Sequence, residues 1–304
     1  MSAVGQPRPL FALFVRLGAA ASIATMAMLV KLAGEHQVHI VEILFWRQGL
    51  TLPLFVGWML LTRKIGLVRT GRLGGHAKRA MLGMVGMVLN FAALIMLPLA
   101  EATTLNFTAP LFAVLLSILL LRDHVGLWRW GAVLAGFAGI LVIAQPGSGH
   151  IPLAGAMVAL GGAFMIALVS IQLQQLGRTE HPLTVVFWFA ALSTPLLALA
   201  LPFVATGHDT TTWLILIGTG FFGGIGQLLL TASLRYGAVA SVIVMDYSSL
   251  IWATLYGWLV WDRLPPTQTW LGAPLVIGAG LLIAWREHRL ARGRNARPVA
   301  GTPA

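Results

Sequence analysis

Apolar runs long enough for a helix to cross a bilayer, which takes roughly 20 residues, recur along this chain, and the charges, prolines and glycine clusters gather between them. Breaks placed at those gaps predict ten membrane spans: 10–33, 40–61, 79–98, 103–121, 128–145, 152–174, 182–204, 211–233, 238–261 and 269–285. The fold class expected is therefore an all-α polytopic membrane protein.

The pattern is duplicated. Asn106 to Gly147 reads as an apolar segment, a short basic turn and a second apolar segment rich in small residues, and Met245 to Glu287 is a weaker copy of it. A shift of 139 superposes Leu111, Leu116, Leu120 and Asp123 on Leu250, Leu255, Leu259 and Asp262; a shift of 141 superposes Gly131, Ala132, Ala138, Gly139 and Leu141 on Gly272, Ala273, Ala279, Gly280 and Leu282. The beginnings of the halves match as well, since a shift of 142 carries His39, Phe45, Trp46, Pro53 and Leu54 onto His181, Phe187, Trp188, Pro195 and Leu196. Leucine matches alone mean little in so apolar a chain, but an acidic residue, glycines, prolines and a histidine in register mean a repeat.

Charge sets the topology. With the N-terminus inside, 16 of the 20 Lys and Arg fall on inner segments, only Lys31 and Arg263 fall outside, and Arg16 and Arg47 lie within spans. Basic residues concentrate on the cytoplasmic side, so both termini are expected there. Five helices per half is an odd number, and the second half must enter from the opposite face. The loop at 62–78 carries five basic residues where its counterpart at 205–210 carries none, as inversion requires. Two inverted five-helix repeats, 10–145 and 152–285, followed by a basic cytoplasmic tail, 286–304, expected to be disordered, complete the layout. Inverted repeats are the architecture of many secondary transporters, whose site lies between the halves near the midplane.

Composition agrees. The chain is 58% hydrophobic and only 10% charged, against about 25% charged in soluble domains. Its net charge of +11 is spent in loops and tail, so no nucleic-acid partner is expected. The absence of cysteine removes disulfides and thiol chemistry. The N-terminus lacks the shape of a signal peptide, because Leu10 to Ala33 is too long for its apolar core.

The run VEILFWRQ at 41–48, followed by LAEATTLNFTAPLFAVLLSILLLRD and WRWGAVLAGFAGILVI, resembles the EamA-type transporters of the drug/metabolite superfamily, and so does ASLRYGAVASVIVMDYSSLIWATLYGWLVWDRLP in the second half. The resemblance spans roughly 10 to 285. It implies a ten-helix, two-repeat fold and transport of small metabolites, often export of amino acids or related compounds. Many members carry Glu after the fourth and ninth spans, where this chain has Asp123 and Asp262.

Ionisable groups within a bilayer are costly and mark candidate sites. Arg47 lies about 10 Å along span two, Asp246 about 12 Å along span nine and Arg16 about 9 Å along span one, at 1.5 Å per residue; Glu42 is near the outer end of span two. Arg47 suits either a clamp on a substrate carboxylate or an interhelical bond. Asp246 suits a proton relay, a partner for an amine, or a buried pair with Arg47 or Arg16. Arg16 and Glu42 are read as structural charges, and Glu101 as a solvated loop charge. The resemblance places Asn90, Asn106 and Gln227 around a central cavity, where substrate contacts and interhelical hydrogen bonds are both open to them. Phe107, Tyr247, Trp252 and Tyr256 are candidate aromatic walls, with packing as the alternative.

Gly218, Gly220 and Gly223 spell GxGxxG inside an apolar span, where a dinucleotide loop has no strand to follow; close packing, with Gly220 and Gly224 at GxxxG spacing, accounts for them better. Asn106-Phe107-Thr108 is a sequon in letters only. No HExxH, GxSxG, P-loop or paired-acid metal motif occurs. The reading is a non-enzymatic, cofactor- and metal-free secondary transporter of the bacterial inner membrane. It moves small amphipathic metabolites by alternating access, with spans one, three, four, six, eight and nine lining the cavity and protons as candidate coupling ions. The alternatives are an uptake carrier for a vitamin, nucleobase or nucleoside, and a polytopic membrane enzyme or channel. Monomer and homodimer both fit.

Overall fold

A computed structural model describes residues 9–121, 126–145, 151–177, 179–236 and 244–295. Among them are helices and no strands. The first half comprises α1 (Pro9–Glu35), α2 (Ile40–Leu61), α3 (Leu73–Met96), α4 (Leu99–Asn106), α5 (Ala109–Leu121) and α6 (Leu127–Ala144). The second comprises α7 (Leu153–Leu176), α8 (Pro182–Ala200), α9 (Thr210–Tyr236), α10 (Ser249–Trp261) and α11 (Thr267–Asn295). Among the described residues eight segments are long and apolar enough to cross a membrane, α4 with α5 counting as one, and the apolar part of α6 is shorter. The expected ninth span is described from Val244, with a 3₁₀ turn to Ser248 leading into α10; Asp123 and residues 238–243 lie outside the described residues. The last helix runs on through the basic segment to Asn295.

The repeat is visible in the local chemistry that starts its helices. His39 and His181 are both N-caps, each accepting through Nδ1 from the backbone N–H two residues on, at 3.3 and 3.2 Å. Pro53 and Pro195 both lie inside the helices that follow. The fourth span of each half is interrupted at matched positions, 107–108 in the first and the 3₁₀ turn 244–248 in the second. In the first, Pro110 has no N–H to give the Asn106 carbonyl, so the helix must restart. Thr108 caps the restart, its carbonyl accepting from Leu111 and Phe112 and its hydroxyl donating to Leu105 at 2.7 Å. The two interruptions meet, with the Phe107 and Tyr247 rings edge to face at 4.8 Å.

Packing obeys a two-fold exchange of halves. α1 packs along α9, and the equivalent pair, α7 along α3, packs likewise; α2 on α9 is mirrored by α8 on α3. Helices α6 and α11, the fifth of each half, pack on one another. A Cβ on Gly136 would meet Ala279, while one on Gly272 would meet Ile143. Moving forward along α6 therefore moves backward along α11. Gln48 likewise faces Ser193 while Phe55 packs near Leu183 and Phe187, so α2 and α8 also run antiparallel. Equivalent helices that run antiparallel mean inverted halves, as the odd helix count requires.

Glycines set the closest seams. The α9 run divides into two faces. Gly218, Gly223 and Gly226 admit Leu29, Met26 and Ile23 of α1, whereas Gly220 and Gly224 admit Leu50 and Leu54 of α2. The GxGxxG letters are thus a two-sided packing surface.

Two expectations are corrected. Span three starts at Leu73 instead of 79, so Arg79 is not a loop charge but lies within α3. Glu101 is not solvated: it sits in α4 at 2% exposure and accepts from Thr269 at 3.2 Å. At the surface, Asp209 caps α9 by accepting from the Thr212 hydroxyl and N–H, which hold its carboxyl below the usual range.

Candidate functional site

Between the halves lies a cavity of about 720 Å³, within the range of small-molecule sites. α1 contributes Ile23 and Met26, α3 Gly83, Met87, Asn90 and Phe91, and the α4–α5 break Asn106 and Phe107. Ser170 and Leu173 come from α7, Gln227 and Thr231 from α9, and Ser249 and Ala253 from α10. All six spans expected to line the cavity do so. Spans two and seven join them, through Arg47, Gln48 and Thr51 of α2 and Val185, Phe189 and Ala190 of α8.

The cavity opens at one end. Ser170 and Leu173, on the last turns of α7, and Gly177 and Pro182, at the α7–α8 turn, are exposed. That turn shares a face with the basic α2–α3 loop, to which it is tied by Thr70 donating to Glu180 and Arg72 to Thr179, each at 2.9 Å. At the far end Phe91, Leu94 and Leu99 are buried.

Of the predicted residues, Arg47, Asn90, Asn106, Phe107 and Gln227 meet here. Arg47 donates through Nη1 to Gln48 Oε1 and lies 3.7 Å from Met87 Sδ. Its Nε is buried without a hydrogen-bond partner, as is Asn106 Oδ1. Asn90 spends one donor on the Gly86 carbonyl, 2.7 Å away, and Gly162 leaves room for its amide.

The others lie elsewhere. Asp246 is paired with Arg16, Nε to Oδ1 at 2.6 Å and Nη2 to Oδ2 at 2.5 Å, while Arg16 also reaches Ser233 at 3.3 Å. Of the partners left open for Asp246, the structure takes Arg16. Tyr247 stands behind Phe107. Tyr256 shares a hydrogen bond with Thr25 at 2.7 Å and stacks near Trp252. From α10 it is Ser249 and Ala253 that reach the cavity; Tyr256, seven residues after Ser249, shares their face but lies further along the helix. Glu42, 2% exposed, is bonded to His208 at 2.8 Å beneath Trp213.

Arg79 escaped the sequence reading. Its guanidinium lies 4.3 Å over the Phe189 ring, and Nε and Nη1 are buried with no hydrogen-bond partner. A Cβ on Gly83 would collide with Nη1, so that glycine is what lets the side chain fold inward. The signal was there in Gly83, four residues on and therefore on the same face.

The family model described as the EamA-like transporter family matches residues 10–145 and 153–285. A riboflavin transporter of Vibrio cholerae is 33% identical over 75% of this chain and 77% of its own length. One of Rhizobium johnstonii is 32% identical over 82% of each. The pseudopaline exporter of Pseudomonas aeruginosa is 29% identical over 80% of this chain and 85% of its own. A crystal structure at 19% identity superposes with a TM-score of 0.64 over 93% of this chain and 99% of its own, a likeness of fold.

Proposed function

The chain belongs to the EamA-like transporter family, and from that premise we propose that it is a secondary carrier of small organic metabolites in the bacterial inner membrane, working by alternating access around the central cavity. The supporting observation is a cavity set between inverted halves, open towards the basic loops and closed at the far end. Basic loops favour the cytoplasmic side, so the state described is open to the cytoplasm.

Symmetry supplies the mechanism. α1 lies along α9 more extensively than its counterpart α7 lies along α3. If the halves exchange conformations, α7–α3 closes and α1–α9 parts, and the same cavity opens outward. Rigid-body rocking of repeats around a fixed site is how such folds alternate access. Phe91, Phe107 and Met87 offer apolar walls, and Asn90, Asn106 and Gln227 offer polar points that orient a ligand.

Asp246 is bonded to Arg16, and this reading takes the pair as a structural tie and routes no proton through it. Neither amino-acid export nor riboflavin uptake is favoured by the lining alone. The relatives make flavins the first compounds to test, with amino acids and dicarboxylates beside them.

Counterflow in liposomes tests the proposal. Vesicles preloaded with unlabelled substrate should accumulate labelled substrate transiently above equilibrium for at least one of these compounds, with a saturable rate. Linear, non-saturable entry with no overshoot would mark a channel, and chemical conversion of the compound would mark an enzyme.

A further inference from the structure

Among the described residues, the cavity is lined by two guanidinium groups and no carboxylate. Arg47 and Arg79 line it, and no Asp or Glu is among the described lining residues; residues 237–243, outside the description, read GAVASVI and contain no ionisable side chain. The nearby acids described are engaged elsewhere: Glu42 with His208, Glu101 with Thr269, Asp246 with Arg16 and Glu180, at the mouth, with Thr70. Three guanidinium nitrogens, Nε of Arg47 and Nε and Nη1 of Arg79, are buried without a hydrogen-bond partner. Buried charged donors left unpaired are costly, and a guanidinium fork matches carboxylate and phosphate oxygens.

The two groups are also held in place. Arg47 donates to Gln48, Gln48 donates to Ser193 at 2.6 Å, and Ser193 donates to the Phe189 carbonyl at 2.6 Å. The Phe189 ring in turn carries Arg79 on its face. Gly83 and Gly223 make the room, since a Cβ at Gly83 would strike Arg79 and one at Gly223 would crowd Arg47 at 3.3 Å. Along α3, Arg47 touches Met87 and Arg79 touches Gly83, four residues apart, a rise of about 6 Å.

We propose that the substrate is an organic dianion with an apolar body, whose oxyanion groups engage Arg47 and Arg79 about one helical turn apart. This rests on the carrier reading and narrows it. Arg79, nearer the open end, meets the ligand first; Arg47, deeper, completes the clamp. The unpartnered Asn106 Oδ1 takes a donor from the ligand body. Neutralising both guanidiniums inside the cavity lets the loaded carrier change state without carrying an unpaired double charge through the closed form.

The test uses the purified full-length protein and two dicarboxylates, isophthalate and glutarate. Each is measured beside its neutral diester at fixed ionic strength. Tryptophan fluorescence quenching reads affinity, and thermal melting confirms that each variant folds. At least one dianion should bind about 10- to 100-fold more tightly than its neutral counterpart, the range expected of charge-assisted hydrogen bonds. Arg47→Gln and Arg79→Gln should each remove at least about 10-fold of that preference and leave the neutral compound unchanged. Gly83→Ala should mimic Arg79→Gln although the arginine remains, and Lys78→Gln, at the exposed neighbouring position, should change nothing.

Neutral compounds that bind as well as every dianion, or a preference that survives the double Arg47→Gln/Arg79→Gln variant, would overturn the proposal. Binding of inorganic phosphate alone, with no preference among the organic pairs, would also overturn it. Counterflow of the same compounds separates the two claims. Transport of neutral compounds only leaves the carrier and removes the dianion. Arginine-dependent binding without any counterflow does the reverse.

Discussion

Asp246→Asn is expected to lower the melting midpoint of the purified protein by roughly 5–10 °C, and Arg16→Gln by less, because the carboxylate it strands is partly exposed. Removing one partner of a buried pair strands the other charge, at about 3–5 kcal/mol where both are fully buried. Here the Arg16 side chain is 6% exposed but that of Asp246 is 41% exposed, which reduces the expected loss to about 2–3 kcal/mol. The double variant should recover most of it, because a neutral pair leaves nothing stranded. That recovery separates a structural tie from a proton relay, since a relay predicts normal melting for Asp246→Asn with loss of pH-driven accumulation. Equal melting of all four proteins would show that the pair does not hold α1 to the α10 segment.

The second large effect is expected at Gly220. A Cβ there would stand 2.6 Å from the Trp46 carbonyl oxygen and 2.6 Å from Leu50 Cβ. The nearest obstacle includes backbone, so the clash cannot be relieved by a side chain rotating away, and α9 must move off α2. Overpacking costs about 1–3 kcal/mol and sometimes more. Gly220→Leu should therefore lower the melting midpoint by about 5–10 °C and abolish counterflow, because the same seam carries Arg47. Gly278→Ala is the control: nothing lies within 4 Å of a Cβ there. Alanine at an open helical glycine should be neutral or stabilising by about 0.5–1 kcal/mol. If Gly220→Leu melts and transports like Gly278→Ala, the α2–α9 seam is not as close as described.

What could be read beforehand follows from what is local. The spans and their inversion were legible because hydrocarbon length and loop charge act segment by segment, and because His39 and His181 cap their helices by the same local bond. The interruption of span four was not read from the sequence, although Pro110 carried its signal. Partners could not be read, since Arg16 and Asp246 are far apart in sequence and only tertiary packing chooses between Arg16 and Arg47 as the acid's mate. Arg79 was missed for a physical reason. A long cationic side chain folding into a cavity and one ending a span in the loop look alike in sequence, where a charge reads as a boundary. Glu101 misled in the same way. Trp252 and Tyr256 stood out as aromatic, yet the residues that reach the cavity from α10 are Ser249 and Ala253. Tyr256 shares the face of Ser249 and Ala253 but lies further along the helix, where it bonds Thr25, and the sequence does not fix how far along that face the cavity extends.

The central claim is one cavity, between inverted halves, that opens to each side in turn. Because the chain has no cysteine, single cysteines report without background. Ser170→Cys stands at the open end and Thr103→Cys towards the closed end. In membranes treated with an impermeant maleimide, Ser170→Cys should react from the face of the basic loops and Thr103→Cys from the opposite face only while the carrier cycles, with substrate changing both rates. Reaction of both positions from one face only, or of both from both faces at once without substrate, would contradict the account.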